Sequence, residues 1–125
     1  MNQKNIVLFE RYDGVRFVLE RGLSSITGEI KIFSSHWKDE VKHQIRNQPI
    51  DLLITEISKV NPDGLELSRF ARKVSPEITI IWITVQGCHM FRKQKELLGN
   101  ITCIEKPLEI KRLKENVLRA LELNK

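Results

Sequence analysis

The chain has 125 residues, of which 41% are hydrophobic and 30% charged, a composition typical of one compact globular domain spanning residues 1–125. Its longest apolar run, residues 78–83, is far shorter than the roughly 20 residues that a membrane-spanning helix needs, which excludes a transmembrane segment. The net charge of +5 leaves either an acidic protein or a nucleic acid open as a partner.

The start of the chain and its two cysteines bear on the cellular compartment. Residues 1–4 are polar and unlike a signal peptide, so we expect a cytoplasmic protein. Cys88 and Cys103 lack the CxxC spacing of metal or redox motifs, and two cysteines alone imply no disulfide framework. We therefore expect two ordinary thiols in a reducing compartment, and no metal site.

Apolar residues recur along the chain in two alternating patterns. Short apolar runs typical of strands cover residues 6–9, 30–32, 52–54, 78–83 and 101–104. Each run is followed by apolar residues at helical spacing, and Gly28 ends the first strand–helix unit. The predicted helical faces are, in chain order, Val15, Val18, Leu19 and Leu23; Trp37, Val41 and Ile45; Leu67, Phe70, Ala71 and Val74; Met90, Phe91, Leu97 and Leu98; and Ile110, Leu113, Val117 and Leu121.

Five strands that alternate with five helices predict a parallel sheet with helices on both faces and right-handed crossovers. The first, third and fourth runs are continuously apolar, as in strands buried inside a sheet. The second and fifth runs are mixed, as in edge strands. The predicted fold is therefore α/β and flavodoxin-like, a (βα)5 doubly wound five-stranded parallel sheet of order 2-1-3-4-5.

Polar residues at the carboxyl ends of these strands form the candidate site. In a doubly wound sheet, ligands bind outside those ends, where the strand order reverses. Two carboxylates, two cations and a hydroxyl should meet there: Glu10, Arg11, Glu56, Thr84 and Lys106. Strand ends are often polar merely because the chain emerges into solvent, but five such residues at one corner favour a functional cluster.

The same positions make the sequence resemble a response-regulator receiver (CheY-like) domain over essentially its whole length. Residues 51–56 and the Asp-Gly pair at 63–64 are similar to the family's third strand, its phosphoacceptor and the pair that follows seven residues later. Thr84 resembles the hydroxyl residue that senses the phosphoryl group. Lys106 resembles the lysine that contacts the acceptor, and the family implies a cis bond to Pro107. The resemblance implies a role in two-component, phosphorelay-type signal transduction.

Three departures from the family's pattern change the mechanism that the resemblance implies. Glu56 stands at the phosphoacceptor aspartate, Arg11 replaces one member of the acidic pair on the first strand, and Cys103 replaces the aromatic switch residue. A guanidinium repels a divalent cation and offers carboxylates a fork of donors. We therefore expect Arg11 to stand in for Mg²⁺ in a cluster with Glu10, Glu56 and Lys106.

These departures imply a degenerate pseudo-receiver that works without phosphorylation, binds no cofactor and is not an enzyme. Glu56 is one methylene longer than aspartate. It either mimics the phosphorylated state in part, with a hydrogen bond from Thr84, or is a remnant of a dead pocket. The alternative function is a working receiver that uses Glu56 as its phosphoacceptor.

Receivers usually meet a protein partner through the face of the fourth helix, fifth strand and fifth helix. Here that region and the third helix are rich in cations, which favours an acidic signalling or output protein, although solvated helix faces have similar charges. Nucleic-acid binding is a weaker alternative because aromatic residues do not alternate with the basic ones. A homodimer, and a place within a longer regulator, both stay open. The basic residues are Arg92, Lys93, Lys95, Lys111, Arg112, Lys114, Arg119, Arg69, Arg72 and Lys73.

Overall fold

The computed structural model describes residues 3–26 and 30–121 of the chain. Within these ranges, strands and helices alternate as predicted, and Gly28 lies outside the described residues. The strands are β1 (Lys4–Phe9), β2 (Ile30–Ser35), β3 (Leu52–Glu56), β4 (Thr79–Thr84) and β5 (Ile101–Glu105). The helices are α1 (Asp13–Ser24), α2 (Lys38–Asn47), α3 (Asp63–Val74), α4 (Arg92–Leu98) and α5 (Ile110–Leu121), with a 3-10 turn at Cys88–Phe91 before α4.

The five strands form one parallel sheet in the order β2-β1-β3-β4-β5, which confirms the predicted topology. Alternate residues of each strand point to opposite faces, so the sheet separates two apolar cores. Leu8 and Ile54 belong to the core that includes residues of α1 and α5, whereas Val7 and Leu53 belong to the core that includes residues of α2 and α3. The helices cover the two faces of the sheet and leave the carboxyl ends of the strands uncovered, where polar residues lie.

Five residues assigned to buried helical faces are exposed instead: Val18, Trp37, Val74, Met90 and Leu97. Trp37 is 59% exposed because α2 begins one residue later, and the backbone N–H of Trp37 donates to the Ser35 hydroxyl at 2.9 Å. Leu97 is 86% exposed on α4, a helix of only seven residues of which none is fully buried. Phe91, in the preceding turn, is the buried residue of this segment and packs edge-on against Trp82.

The expectation of two free thiols is wrong. Cys88 and Cys103 form a disulfide bond, with their Cα atoms 6.0 Å apart. The 3-10 turn after β4 brings Cys88 beside β5, a proximity that depends on the fold and left no spacing signal in the sequence. Cys103 is half-buried on β5. The compartment inferred from free thiols loses that support.

None of the helices in the described part of the chain is both long and apolar enough to cross a membrane.

Candidate functional site

The carboxyl ends of four neighbouring strands bring the predicted site residues to one edge of the sheet. Glu10 directly follows β1, Glu56 is the last residue of β3 and Thr84 is the last residue of β4. Lys106 directly follows β5, and its backbone N–H donates to the Thr84 carbonyl at 2.7 Å, which extends the pairing of the two strands. The geometry of a parallel sheet thus gathers residues that are up to 96 positions apart in sequence.

Glu10 is the most deeply buried charged group of this cluster, with 0% of its surface exposed. Its Oε1 atom accepts from the Lys106 Nζ at 3.3 Å, and its Oε2 atom accepts from the backbone N–H of Tyr12 at 3.2 Å. Burial and the neighbouring charge of Glu56 raise the pKa of Glu10 above its ordinary value of 4.5, while Lys106 opposes that rise. Both carboxylate oxygens therefore already have protein partners.

Arg11 pairs with Glu56, as the sequence suggested. The Arg11 Nε donates to the Glu56 Oε1 at 3.0 Å, with the Arg11 side chain 30% exposed and that of Glu56 only 6% exposed. The hydrogen bond to Glu56 is the main reason that the pKa of Arg11 lies above its ordinary value. On the other side, the Lys106 Nζ lies 4.0 Å from the Glu56 Oε2. Two anions and two cations thus alternate through the pocket.

Tyr12 completes the cluster, and it was not among the residues predicted for the site. Its ring centroid lies 5.2 Å from the Arg11 guanidinium carbon and 5.8 Å from the Lys106 Nζ, within the range of cation–π attraction. Tyr12 is more than half exposed. An aromatic residue directly after the polar pair of the first strand end was the available signal.

Thr84 lies at the expected strand end but does not make the expected contact. Its side chain is fully buried, and its hydroxyl oxygen accepts a hydrogen bond from the backbone N–H of Gln86 at 3.0 Å. Between the described residues Thr84 and Glu56, no hydrogen bond forms. Partial mimicry of a phosphorylated acceptor through this hydroxyl therefore has no support in the observed geometry.

The remaining two predicted positions lie on or next to β5. The peptide bond between Lys106 and Pro107 is cis, as the resemblance implied. Cys103, at the position of the family's aromatic switch, is held by its disulfide bond to Cys88. A swinging aromatic ring is thus replaced by a covalent cross-link between β5 and the turn after β4.

The residues of this pocket do not fit the Mg²⁺ ion that the resemblance implies. Magnesium needs several oxygen ligands in near-octahedral geometry. Here both oxygens of Glu10 and one oxygen of Glu56 are already bonded to protein donors, and the Arg11 guanidinium lies against the carboxylate. In residues 3–26 and 30–121, no three His, Cys, Asp or Glu side chains form a cluster suited to a metal ion.

Comparison with known proteins connects this geometry to one class of domain. The chain matches no family model. It is 23% identical over 118 residues to the response regulator receiver protein CpdR of Brucella abortus, a match covering 94% of this chain and 97% of that protein. It is 24% identical over 123 residues to the response regulator protein PilR of Pseudomonas aeruginosa, which covers 98% of this chain but only 27% of PilR.

Solved structures show the same fold. A CheY-like response regulator receiver domain protein from Methanospirillum hungatei superposes with a TM-score of 0.83 at 20% identity, covering 98% of this chain and 96% of that one. A response regulator from Thermotoga maritima gives a TM-score of 0.81 at 15% identity, with 96% and 98% of the two chains covered. At these identities, the likeness establishes the fold, whereas the site has to be judged from the residues of this chain.

Proposed function

Because the chain is a response-regulator receiver domain of two-component signalling, we propose that it works without phosphorylation, and that it signals by binding another protein. The observation that carries the proposal is the ion pair between Arg11 and Glu56. It occupies the carboxylate that would have to attack a phosphoryl donor, and it puts a permanent cation where receivers place a metal-binding acid.

The electrostatics of the pocket support this proposal. Phosphoryl transfer needs a cation to neutralise the charge that gathers on the transferring group, and that cation is normally Mg²⁺. Arg11 and Lys106 supply positive charge permanently, and Glu10 and Glu56 balance it. The cluster is thus neutralised without a phosphoryl group or a metal ion. We propose that the domain catalyses no reaction and keeps one conformation at this site.

Incubation with acetyl phosphate and Mg²⁺, followed by intact-mass spectrometry, tests the absence of phosphorylation. We expect no phosphoryl adduct on the natural chain. The matched variant carries Arg11→Asp and Glu56→Asp, which restore the acidic pair and the acceptor aspartate, and we expect it to gain one phosphoryl group. A phosphoryl adduct on the natural chain that disappears in Glu56→Gln would instead show a working receiver with a glutamate acceptor.

Exposed basic residues of α4 and α5 support an acidic protein partner. Arg92, Lys93 and Lys95 all lie in solvent on α4, close to the largely exposed side chain of Leu97. Arg112 and other cations extend the positive charge along α5. A largely exposed leucine bordered mainly by basic side chains, which Glu96, Glu105, Glu109 and Glu115 only partly offset, fits a protein interface that selects its partner electrostatically. We propose that this α4–β5–α5 face binds an acidic signalling or output protein in the cytoplasm.

A comparative pull-down from the native source tests this face. We expect partners retained by the natural chain to be lost by the variant Arg92→Glu/Lys93→Glu. The control variant Arg21→Glu/Lys31→Glu changes the net charge by the same amount at exposed positions of α1 and β2. It should retain the partners. Equal loss in both variants would show that net charge alone drives binding. Because two copies of a basic face repel each other, we propose a different protein as partner in preference to a homodimer.

A further inference from the structure

The disulfide between Cys88 and Cys103 joins the turn that precedes α4 to β5. We propose that this bond is a thiol–disulfide exchange site, and that its reduction by a dithiol releases the segment Cys88–Leu98 from the sheet. The inference concerns sulfur chemistry and local structure, so it does not depend on whether Glu56 is phosphorylated.

The disulfide lies where a thiolate can reach it. Cys88 and Cys103 are both half-buried, and both neighbours Thr102 and His89 are exposed. β5 is an edge strand, with β4 as its only partner in the described sheet. Exchange requires a thiolate to approach one sulfur of the bond, and an exposed position allows that approach whereas a core position prevents it. The location of the bond at the rim of the sheet therefore suits exchange.

Few contacts attach the segment to the rest of the domain. None of the residues of α4 is fully buried, and Leu98 is its one partly buried hydrophobic residue that packs against the core. The start of the segment is held by the disulfide, by the buried ring of Phe91, and by a hydrogen bond from the backbone N–H of Cys88 to the Glu105 carboxylate at 2.9 Å. The Glu105 contact is exposed. Without the cross-link, Phe91 alone among these three contacts would anchor the start of the segment in the core.

The chemistry balances as a two-electron exchange. A thiolate of the dithiol attacks one cysteine sulfur, forms a mixed disulfide and breaks the Cys88–Cys103 bond, and the sulfur released takes up a proton. The second thiolate of the dithiol then attacks the mixed disulfide and releases the other cysteine, which is also protonated. The dithiol is oxidised to its own disulfide as the cysteine pair is reduced. The reverse reaction needs a disulfide as oxidant.

The role of the bond depends on whether its compartment is reducing or oxidising. Disulfides in a reducing compartment are usually transient and either catalytic or redox-sensing, whereas permanent structural bonds belong to oxidising compartments. If the domain is cytoplasmic, as its proposed function implies, the bond forms and breaks with the redox state. The segment that the bond holds belongs to the α4–β5–α5 face. An effect of reduction on a protein partner therefore rests on the proposed function, whereas release of the segment does not.

Alkylation and hydrogen exchange on the full chain provide the test. After oxidation with glutathione disulfide, we expect iodoacetamide to label neither cysteine, and after treatment with dithiothreitol to label both. Reduction should speed amide exchange in peptides covering residues 88–98 about tenfold or more, and leave peptides from β1, β3 and β4 unchanged. The double variant Cys88→Ser/Cys103→Ser should show the fast exchange with or without dithiothreitol.

Three results would overturn the proposal. Full labelling of both cysteines after oxidation would mean that the bond does not form in solution. Equal exchange of residues 88–98 in the oxidised and reduced chains would mean that the bond controls nothing. Loss of protection throughout the sheet on reduction would mean that the bond supports the whole fold and does not release one segment.

Discussion

Gly64 packs directly against the backbone carbonyl of Glu56: a Cβ atom built on Gly64 would lie 1.9 Å from that oxygen. No side chain fits in this space, because the obstacle is backbone and not the flexible end of a side chain. The glycine thus lets α3 begin against the end of the strand that carries Glu56. The Asp-Gly pair that the sequence shares with receivers therefore has a steric role here, independent of phosphorylation.

Replacement of Gly64 by alanine should destabilise the domain. The added methyl group must displace α3 from β3, and overpacking of this kind costs about 2–3 kcal/mol in the free energy of unfolding. Urea titration followed by circular dichroism measures the change. Gly14→Ala is the control, since a Cβ atom at Gly14 meets nothing within 4 Å and alanine favours a helix by up to about 1 kcal/mol over glycine. Equal effects of the two substitutions would contradict the steric role.

Removal of the Arg11 cation should create a magnesium site. In Arg11→Asp the new carboxylate would lie beside Glu10 and Glu56, and the guanidinium that now occupies the pocket would be gone. We expect Mg²⁺ to raise the melting temperature of this variant and to leave that of the natural chain unchanged. At a concentration 100 times the dissociation constant, the stabilisation should be about 2.7 kcal/mol.

Two comparisons make the magnesium experiment specific. Arg11→Asn removes the cation but adds a neutral amide in place of a negatively charged carboxylate. Its melting temperature should therefore respond to Mg²⁺ less than that of Arg11→Asp. Sodium chloride at matched ionic strength controls for screening of surface charges. A rise of the natural chain's melting temperature equal to that of Arg11→Asp would show that Arg11 does not exclude the metal.

Glu10 should make the domain less stable as the pH rises above about 4.5. Its pKa is raised in the folded state, mainly by burial and then by the charge of Glu56, so the folded chain binds more protons than the unfolded chain just above that pH. Stability then falls with rising pH until the pH passes the raised pKa. The free energy of unfolding of the natural chain minus that of Glu10→Gln should therefore decrease between pH 4.5 and that point. A difference that stays constant or increases over this window would contradict the raised pKa.

The sequence was sufficient to predict the sheet because hydrophobic patterning records burial directly. Continuous apolar runs marked β1, β3 and β4 as interior strands, and mixed runs marked β2 and β5 as edges, as the topology confirms. The pairing of Arg11 with Glu56 was also predictable, since parallel strands bring their carboxyl ends to one edge and opposite charges attract there. These features depend on local pattern and on the general geometry of the fold.

Other features depended on distances that the sequence does not record. The bond between Cys88 and Cys103 needs a particular turn after β4, and no residue spacing announces it. The Thr84 hydroxyl accepts a hydrogen bond from the backbone N–H of Gln86 and makes none with Glu56, an orientation that residue identity alone does not predict. Trp37 matched a helical face in spacing, but the helix began after it. In each case a short-range choice of backbone path decided the result.

The contacts of Arg72 were not predictable from the sequence either, and the residue was assigned to the basic residues of a docking surface. Its guanidinium instead donates to the backbone carbonyls of Pro76, Ile78 and Gly99, and its Nε atom is buried without a hydrogen-bond partner among the described residues. Arg72 thus joins the end of α3 to the start of β4 and to the residue that follows α4.

Substitution of Arg72 should therefore destabilise the domain, whereas substitution of Arg69 should not. Arg72→Met keeps the length of the side chain but leaves three carbonyl groups without this donor, at about 1–3 kcal/mol for each carbonyl that stays buried and unpaired. We expect a loss of about 2–4 kcal/mol in the free energy of unfolding, because water will reach the more exposed carbonyls. Arg69→Met, on the same helix at an exposed position, should change it by less than about 0.5 kcal/mol.

A pull-down with the same two variants separates this structural role from a docking role. If Arg72 only supports the fold, Arg72→Met should retain protein partners at temperatures well below its lowered melting temperature, and Arg92→Glu/Lys93→Glu should lose them at any temperature. Loss of partners by a fully folded Arg72→Met, with circular dichroism as the measure of folding, would return Arg72 to the docking surface. Equal stability of Arg72→Met and Arg69→Met would show that the three backbone contacts of Arg72 contribute nothing, since water would then replace them without cost.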